Sequence, residues 1–204
     1  MPSTLQVDKI IDGSATTNKE LAEYSSGNWS WGDGVPDGSV LQVVHFSTES
    51  RTSSTQNMNA GFDDSPVVVN ITPTSATNYI LMTASMHAGN SVANYACVFR
   101  FYISGGGTNG AIDIPTGTLN GSNIAVTAGG PQATGIWQVT NYSFQTRFRC
   151  NDTIPNWSSG ALTLKVQYAR NGDGTVRINQ SGNNDTSDSY PNTISSITAI
   201  EIKG

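Results

Sequence analysis

The chain has 204 residues, of which 12% are charged, about half of the ~25% usual for globular chains, and its formal net charge is −5. This balance gives no basic surface for nucleic acid or an anionic membrane, so neither is expected as a partner. The length is sufficient for one all-β domain with an appendage. The first residues have neither the basic nor the apolar region of a secretory signal, and no stretch approaches the ~18 consecutive apolar residues of a membrane span.

The first 38 residues differ in character from the rest. Residues 4–11 predict a short extended piece and Asn18 to Tyr24 a weak helix, after which closely spaced glycines and a proline prevent regular structure. Trp29 and Trp31 are too apolar for a free linker. We therefore expect residues 1–38 to be an anchoring arm that docks on the chain's own body or on another subunit. The candidate anchoring residues are Leu5, Val7, Ile10, Trp29 and Trp31.

Four stretches between residues 39 and 104 predict strands. They are Val40 to Phe46, Pro66 to Thr72, Tyr79 to Ala88 and Ala93 to Ser104. The first is apolar on both faces, as in a strand packed between the core and a second surface, and a long polar connection over 51–61 follows it. The other three alternate with period 2, so one set of side chains faces the core. The expected core set is Val67, Val69, Ile71, Ile80, Met82, Ala84, Met86, Cys97, Phe99, Phe101 and Ile103.

The middle of the chain is less regular. Residues 105–135 are rich in Gly, Thr and Asn and predict long loops that hold one or two short strands. Residues 136–149 form the longest alternating run. Because this run carries large apolar residues on both faces, we expect it to bend or to switch sheets midway. On one face are Tyr142, Phe144 and Phe148, and on the other Trp137, Val139 and Arg147.

The end of the chain shows the clearest alternation. Leu162 to Tyr168 and Thr175 to Asn179 predict two strands of a hairpin, joined by a turn at 171–174 whose residues tolerate positive φ. A polar loop precedes a last strand over residues 193–203. With about eight or nine strands, the sequence predicts an all-β, jelly-roll-like, two-sheet antiparallel sandwich over 39–204, preceded by an extended N-terminal arm.

No catalytic or cofactor-binding arrangement stands out, so an enzyme is not expected, and no metal site or cofactor is predicted. His45 and His87 lie in predicted strands without metal-ligand spacing. The adjacent Asp63 and Asp64 point to opposite sides of an extended chain, and a turn is the preferred interpretation. The loops at 171–174 and 183–188 are oxygen-rich but lack the pattern of a calcium-binding EF-hand, so solvated turns are preferred and calcium at 183–188 stays open.

Two residue types leave alternatives open. Cys97 and Cys150 pair only if they fall on neighbouring strands, and a buried reduced thiol is preferred because Cys97 shares a face with Phe99 and Phe101. Trp157 lies in the loop 150–160, where an aromatic ring can stack on a sugar. It is the candidate ligand-binding residue, although packing within an oligomer is the preferred role for the tryptophans.

Three segments carry a family resemblance. They are Ser3-Thr-Leu-Gln-Val-Asp-Lys-Ile10, Gly34 to Val44, and the end from Gly174 to Ser181 with Ser195 to Ile202. Together they resemble virion proteins of marine tailed phages, many of them cyanophage proteins of fibre or decoration type. The likeness covers both ends of the chain and the middle only in its strand pattern. The Trp29-Ser-Trp31 segment departs from it.

The resemblance implies a β-sandwich on a virion surface, assembled in the host bacterial cytoplasm, with head or tail location left open. Trimers are usual in fibres of this sort, so a homotrimeric capsid decoration (cement) or fibre protein is expected, in which a symmetric partner covers the remaining apolar faces. The arm over 1–38 would then hold the subunit to other virion proteins of the capsid or tail. The alternative hypothesis is a carbohydrate- or receptor-binding module of a fibre tip that contacts host surface glycans through Trp157.

Overall fold

The computed structural model describes residues 9–12, 19–25, 28–31, 35–112, 127–129, 138–183 and 193–204. Every regular element in these ranges is a β-strand, which confirms the predicted all-β class. The strands are β1 (Lys9–Asp12), β2 (Lys19–Ser25), β3 (Asn28–Trp31), β4 (Val40–Thr48), β5 (Thr52–Ser54), β6 (Asp63–Ile71), β7 (Tyr79–Asn90), β8 (Ala96–Ser104), β9 (Gly110–Ala111), β10 (Ala128–Gly129), β11 (Thr140–Arg149), β12 (Leu162–Asn171), β13 (Val176–Ile178) and β14 (Ser195–Ile202).

From Val40 onward the strands form two antiparallel sheets. In sheet I, β4 pairs with β14, β14 with β7 and β7 with β11, and the short β13 and β5 continue the sheet beyond the end of β14. In sheet II the order is β10-β8-β12-β6, with β9 also beside β8. Consecutive long strands therefore alternate between the sheets, and the last strand returns beside the first. This is the strand order of a jelly roll.

The core lies between the sheets, where the predicted inward residues of β6, β7 and β8 are buried as expected. Aromatic rings of the two sheets pack against each other across the core. The Phe144 ring of sheet I lies 5.8 Å from that of Phe99 and 4.9 Å from that of Phe101, both in sheet II. Tyr142 lies 4.9 Å from Phe99. Such pairs stabilise beyond the apolar area that they bury.

Both cysteines are buried in this core as free thiols. Loss of hydration on burial is the main cause that raises the pKa of Cys97 to about 12 and that of Cys150 to about 12. The preferred interpretation of Cys97 as a buried thiol is confirmed. Such thiols are poor nucleophiles at neutral pH.

Two predictions, one about a hairpin and one about the course of a strand, are wrong. The stretches Leu162–Asn171 and Val176–Ile178 do not form a hairpin, because β12 pairs within sheet II whereas β13 pairs with β5 and β7 of sheet I. The turn between them, with Gly172 and Gly174 at positive φ, crosses from one sheet to the other. The predicted run over 136–149 does not switch sheets midway, since β11 pairs in unbroken register with β7 from Thr140 to Arg149; residues 136–137 lie outside the described residues.

Three local expectations are also corrected. The weak helical candidate from Asn18 to Tyr24 lies, apart from Asn18, in β2, because pairing with β1 and β3 outweighs a weak local preference. The polar connection 51–61 contains β5. Asp63 and Asp64 open β6 instead of forming a turn, although they do point to opposite sides: Asp63 accepts a hydrogen bond from Ser54 Oγ at 2.5 Å, whereas Asp64 pairs with Lys165.

Strand β4 was expected to pack on both faces, and it does not. It is the edge strand of sheet I, and Val40 and Val43 are 53% and 57% exposed. Val44 packs on the core, but Phe46 on the same face stays 37% exposed at the sheet edge. Among the residues that the structure describes, nothing forms the second packing surface that its sequence implies.

The sandwich begins before β4. Val35 is buried, and its carbonyl oxygen accepts a hydrogen bond from Lys203 Nζ at 2.5 Å. The Gly38 amide donates to the Lys203 carbonyl at 2.8 Å, and the Lys203 amide donates to the Ser39 carbonyl at 2.9 Å. Residues 35–39 are thus attached to the end of the last strand, and they belong structurally with the sandwich.

Candidate interaction surface

The outer face of sheet I has two ends of opposite character. At one end, exposed or half-buried apolar side chains of β4, β14 and β7 lie side by side, because the strand register pairs Val43 with Ile200 and Ile200 with Leu81. We call this set the apolar strip. It consists of Val40, Val43, Tyr79, Leu81, Ile200 and Ile202. At the other end the outer positions are mainly serine and threonine.

Two arginines border the apolar strip. Arg147 and Arg149 of β11 are exposed, and their guanidinium carbons lie 4.7 and 4.6 Å from the centre of the Tyr79 ring. The outward positions of β4, β14, β7 and β11 include no aspartate or glutamate. The end of this face with the apolar strip is therefore apolar and positively charged in a chain whose net charge is negative.

The predicted anchoring residues are only partly placed. Leu5 and Val7 lie outside the described residues. The other three fall in a small antiparallel sheet of β1, β2 and β3, here called the N-terminal sheet. Its register pairs Ala22 with both Ile10 and Trp31, and Tyr24 with Trp29. Since paired residues and alternate residues of a strand share a face, the positions of Ile10, Ala22, Tyr24, Trp29 and Trp31 share one face.

The candidate ligand-binding residue Trp157 is half-buried in a loop that packs closely against Gly106 and Gly107. Its indole packs on the core, and its Nε1 donates to the Gly160 carbonyl at 2.8 Å. The neighbouring Ser158 amide donates to the Gly106 carbonyl at 2.9 Å. A Cβ at Gly107 would lie 2.3 Å from the Pro155 carbonyl oxygen, so only glycine allows this approach. These contacts give Trp157 a structural role in addition to any ligand.

The two histidines lie on the outer face of sheet I and have polar neighbours there. His45 Nδ1 is 2.9 Å from Thr198 Oγ1, and His87 Nε2 accepts a hydrogen bond from Asn141 Nδ2 at 2.9 Å. Within the described ranges no three His, Cys, Asp or Glu side chains cluster in a way that would hold a metal ion. The same ranges contain no helix long and apolar enough to cross a membrane. The predicted loop at 183–188 falls, apart from Asn183, outside the described residues.

Sequence reasoning missed a buried carboxylate at one end of the sandwich. Glu201 has no exposed surface, and its Oε1 accepts hydrogen bonds from the Thr74 amide at 2.7 Å, Thr74 Oγ1 at 2.8 Å and Asn78 Nδ2 at 2.6 Å. Its Oε2 accepts from Gln42 Nε2 at 2.5 Å. The alternation Ile200-Glu-Ile202 was the available signal, because a strand that exposes its isoleucines must turn the glutamate inward.

A second polar cluster covers the outer face of sheet II. Gln167 bridges it: its Oε1 accepts from Arg100 Nε at 2.8 Å, and its Nε2 donates to Asp64 Oδ1 at 2.7 Å. Asp64 also pairs with Lys165, and Arg100 lies over the Phe62 ring at 4.1 Å. Every member of this cluster has a partner within it. Among the described residues the two outer faces of the sandwich thus differ, since the apolar strand side chains that are more than half exposed, Val40 and Val43, lie on sheet I.

Comparison with known proteins adds similarity in structure alone. No family model matches the sequence, and no curated protein matches it. Solved structures that align include those titled "Structure of infectious bursal disease virus Gt strain" (12% identity, 94% of this chain, 46% of that chain, TM-score 0.42) and "Crystal structure of infectious bursal disease virus VP2 subviral particle" (12%, 100%, 46% and 0.38).

The chain spans less than half the length of these structures. Their identities to it lie far below 25% and their TM-scores below 0.5, so the likeness carries no conclusion about what the chain does. The assignment of a two-sheet jelly roll is based on the strand order of the chain itself.

Proposed function

We propose that this chain is a non-enzymatic structural protein of a virus particle, a phage capsid decoration (cement) or fibre protein that assembles with copies of itself. The observation that carries the proposal is the exposed apolar strip on a jelly-roll sandwich. Val40 and Val43, more than half exposed on an edge strand, form with half-buried neighbours a surface that favours association with protein. Jelly rolls of this construction serve as capsid domains, and also as lectins.

The rest of the proposal follows from the two ends of the molecule. The N-terminal sheet collects Ile10, Trp29 and Trp31 on one face, which supports a role for the first 34 residues in attachment. The sandwich, with few charges and a serine- and threonine-rich outer face, is the part presented outward. We propose a homotrimer, attached to capsid or tail proteins through its N-terminal residues and assembled in the host bacterial cytoplasm. A marine tailed phage is the proposed source.

Two measurements test this proposal. The mass of the purified protein in solution should be that of an oligomer, three chains if the trimer is right. Particles that lack the protein should bind the intact chain but not a chain without residues 1–34, and antibodies should locate the bound protein on the head or the tail. The deletion stops before Val35 so that the sandwich stays intact. A monomer whose N-terminal residues are dispensable for attachment would refute the proposal.

The second proposal is a glycan-binding module, and it is favoured by the half-exposed position of Trp157 at a loop. A glycan array would detect binding that Trp157→Ala abolishes. Because the indole also packs on the core, the variant must retain the thermal unfolding transition of the native chain under the assay conditions. Binding unchanged by the substitution in a folded variant rules out this role for Trp157.

A further inference from the structure

The apolar strip and the two arginines beside it form a surface that the described part of the sandwich leaves open. Val40 and Val43 are 53% and 57% exposed, and Arg147 and Arg149 are exposed. Strand β4 is also the edge of sheet I among the described strands. An apolar edge of this kind favours pairing or packing with another chain.

The N-terminal residues have the complementary character. Residues 1–34 contain five acidic and two basic residues, a net charge of −3 within the chain's −5. Their small sheet groups the positions of Ile10, Ala22, Tyr24, Trp29 and Trp31 on one face. An apolar face of this kind is stabilised when it is buried against another surface. The strip offers both an apolar surface and a positive charge.

We infer that the outer face of sheet I, at the apolar strip with Arg147 and Arg149, is the docking surface for the N-terminal sheet of a second copy of this chain. Tryptophan and tyrosine would cover the valines and isoleucines, and the acidic residues of the segment would lie near the guanidinium groups. An arginine beside an aromatic ring adds a cation–π attraction. The inference rests on the self-assembly in the proposed function and names the surface that it uses.

The N-terminal segment joins the sandwich at one end of the strip. Residues 35–39 are attached to the end of β14, so the N-terminal residues leave the sandwich next to Val40 and Ile202 of the strip. If each copy passes its N-terminal sheet to the strip of the next, the contact is heterologous, and a ring of copies closes it. This arrangement is compatible with a trimer.

Disulfide crosslinking of the full-length protein tests the inference. Both native cysteines are buried, with 0% and 2% exposure, so an introduced surface thiol reacts alone. An affinity-tagged Ala22→Cys chain is mixed with an untagged Val43→Cys chain, refolded or co-expressed, and oxidised. The matched controls are Ser30→Cys, which lies on the opposite face of the N-terminal sheet, and Asn70→Cys on the outer face of sheet II.

The expected result is a tagged–untagged dimer from Ala22→Cys with Val43→Cys and several-fold less from either control pair. Arg147→Gln/Arg149→Gln in the Val43→Cys chain should lower the yield, and Arg147→Glu/Arg149→Glu should lower it further, because reversed charges repel the acidic segment. Equal yields for the neutral and reversed pairs would overturn the electrostatic part of the inference.

Three outcomes overturn the docking, and each has its own consequence for the proposed function. In a further sample one chain carries both Ala22→Cys and Val43→Cys, and a crosslink found only within such single chains means that the segment covers its own strip. An oligomer by mass without any Ala22–Val43 crosslink means that the chains assemble through another surface, so the inference fails while the proposed function stands. A monomer by mass overturns the docking, and it refutes the proposed function as well if residues 1–34 are dispensable for attachment to particles.

Discussion

Glu201 shows how a single residue can be fixed by the fold without being visible as important in the sequence. Its carboxylate is surrounded by four hydrogen bonds from Gln42, Thr74 and Asn78, which come from β4 and from the turn before β7. A buried carboxylate is tolerated only with such partners. The network therefore ties the end of β14 to two separate segments of the chain.

Glu201→Gln should lower the free energy of unfolding by about 1–3 kcal/mol, because hydrogen bonds to a charged acceptor are replaced and one amide group must face the donor Nε2 of Gln42. Chemical denaturation of the two proteins at neutral pH measures the difference. Glu49→Gln is the matched control, since Glu49 is exposed at the end of β4 and its substitution should change stability by less than about 0.5 kcal/mol. Equal effects of the two substitutions would contradict the structural role of Glu201.

Asp64 predicts a dependence on pH. Burial by itself would raise the pKa of Asp64, but hydrogen bonds from Lys165 and Gln167 and the positive charges of Lys165 and Arg100 outweigh it, and the pKa lies below the ordinary value of 3.8. A lowered pKa in the folded state stabilises the protein above the unfolded-state value and ceases to do so as the pH falls through the folded-state value.

Asp64→Asn should therefore destabilise the protein at neutral pH and match the native chain in stability in acid, below the folded-state pKa. The side chain of Asp64 is half exposed, so solvent screening limits the neutral-pH difference to about 1 kcal/mol or less. Thermal unfolding of both proteins at neutral pH and over a series of pH values that falls well below 3.8 measures it. A difference that persists unchanged in acid would show that packing, and not the charge, accounts for it.

At the scale of elements, Asn179, which follows β13, connects three strands. Its φ is 59°, a left-handed conformation that asparagine tolerates better than most residues. Its buried Nδ2 donates to the carbonyls of Thr48 at 2.9 Å and Ser50 at 3.0 Å, and its Oδ1 accepts from Ser195 Oγ at 2.6 Å. One side chain thus joins the ends of β13, β4 and β14.

Asn179→Asp should cost about 3–5 kcal/mol, because a buried carboxylate would face two carbonyl oxygens in place of the two donated hydrogen bonds. Denaturant unfolding measures the loss. Asn70→Asp is the control: Asn70 is exposed on β6 and its Oδ1 accepts from Thr163 Oγ1 at 2.8 Å, an interaction that aspartate retains. If Asn70→Asp is as costly as Asn179→Asp, the three-strand junction is not the reason for the loss.

The elements also show what alternation in a sequence can and cannot predict. Period-2 patterns placed the inward residues of β6, β7 and β8 correctly, since the pattern reports which face of a strand is buried. The pattern contains no information about which strand lies beside which, so β12 and β13 were wrongly joined as a hairpin although they belong to different sheets. Likewise β2 was missed, because its pairing partners, and not its own residues, decide its conformation.

At the scale of the whole molecule, the candidate surface was predictable in kind but not in place. The surplus of apolar residues in Val40 to Phe46 and in the last strand indicated that the sandwich lacks a partner. The position of the strip depends on the register of three strands that are distant in sequence. This register brings Val43, Leu81 and Ile200 together beside two arginines. Only the assembled sheet shows where the surplus lies.

The boundary of the sandwich gives the last prediction. A chain lacking residues 1–38 should have a free energy of unfolding about 1.5–3 kcal/mol lower than that of a chain lacking residues 1–34, because it also loses the buried side chain of Val35. It also loses the hydrogen bonds that Val35 and Gly38 make with Lys203. Denaturant unfolding of the two truncated chains separates these cases. In the chain that begins at residue 35, Val35→Ser should reproduce most of the loss. If both truncations are equally stable, the sandwich begins at β4 and residues 35–38 belong with the N-terminal segment.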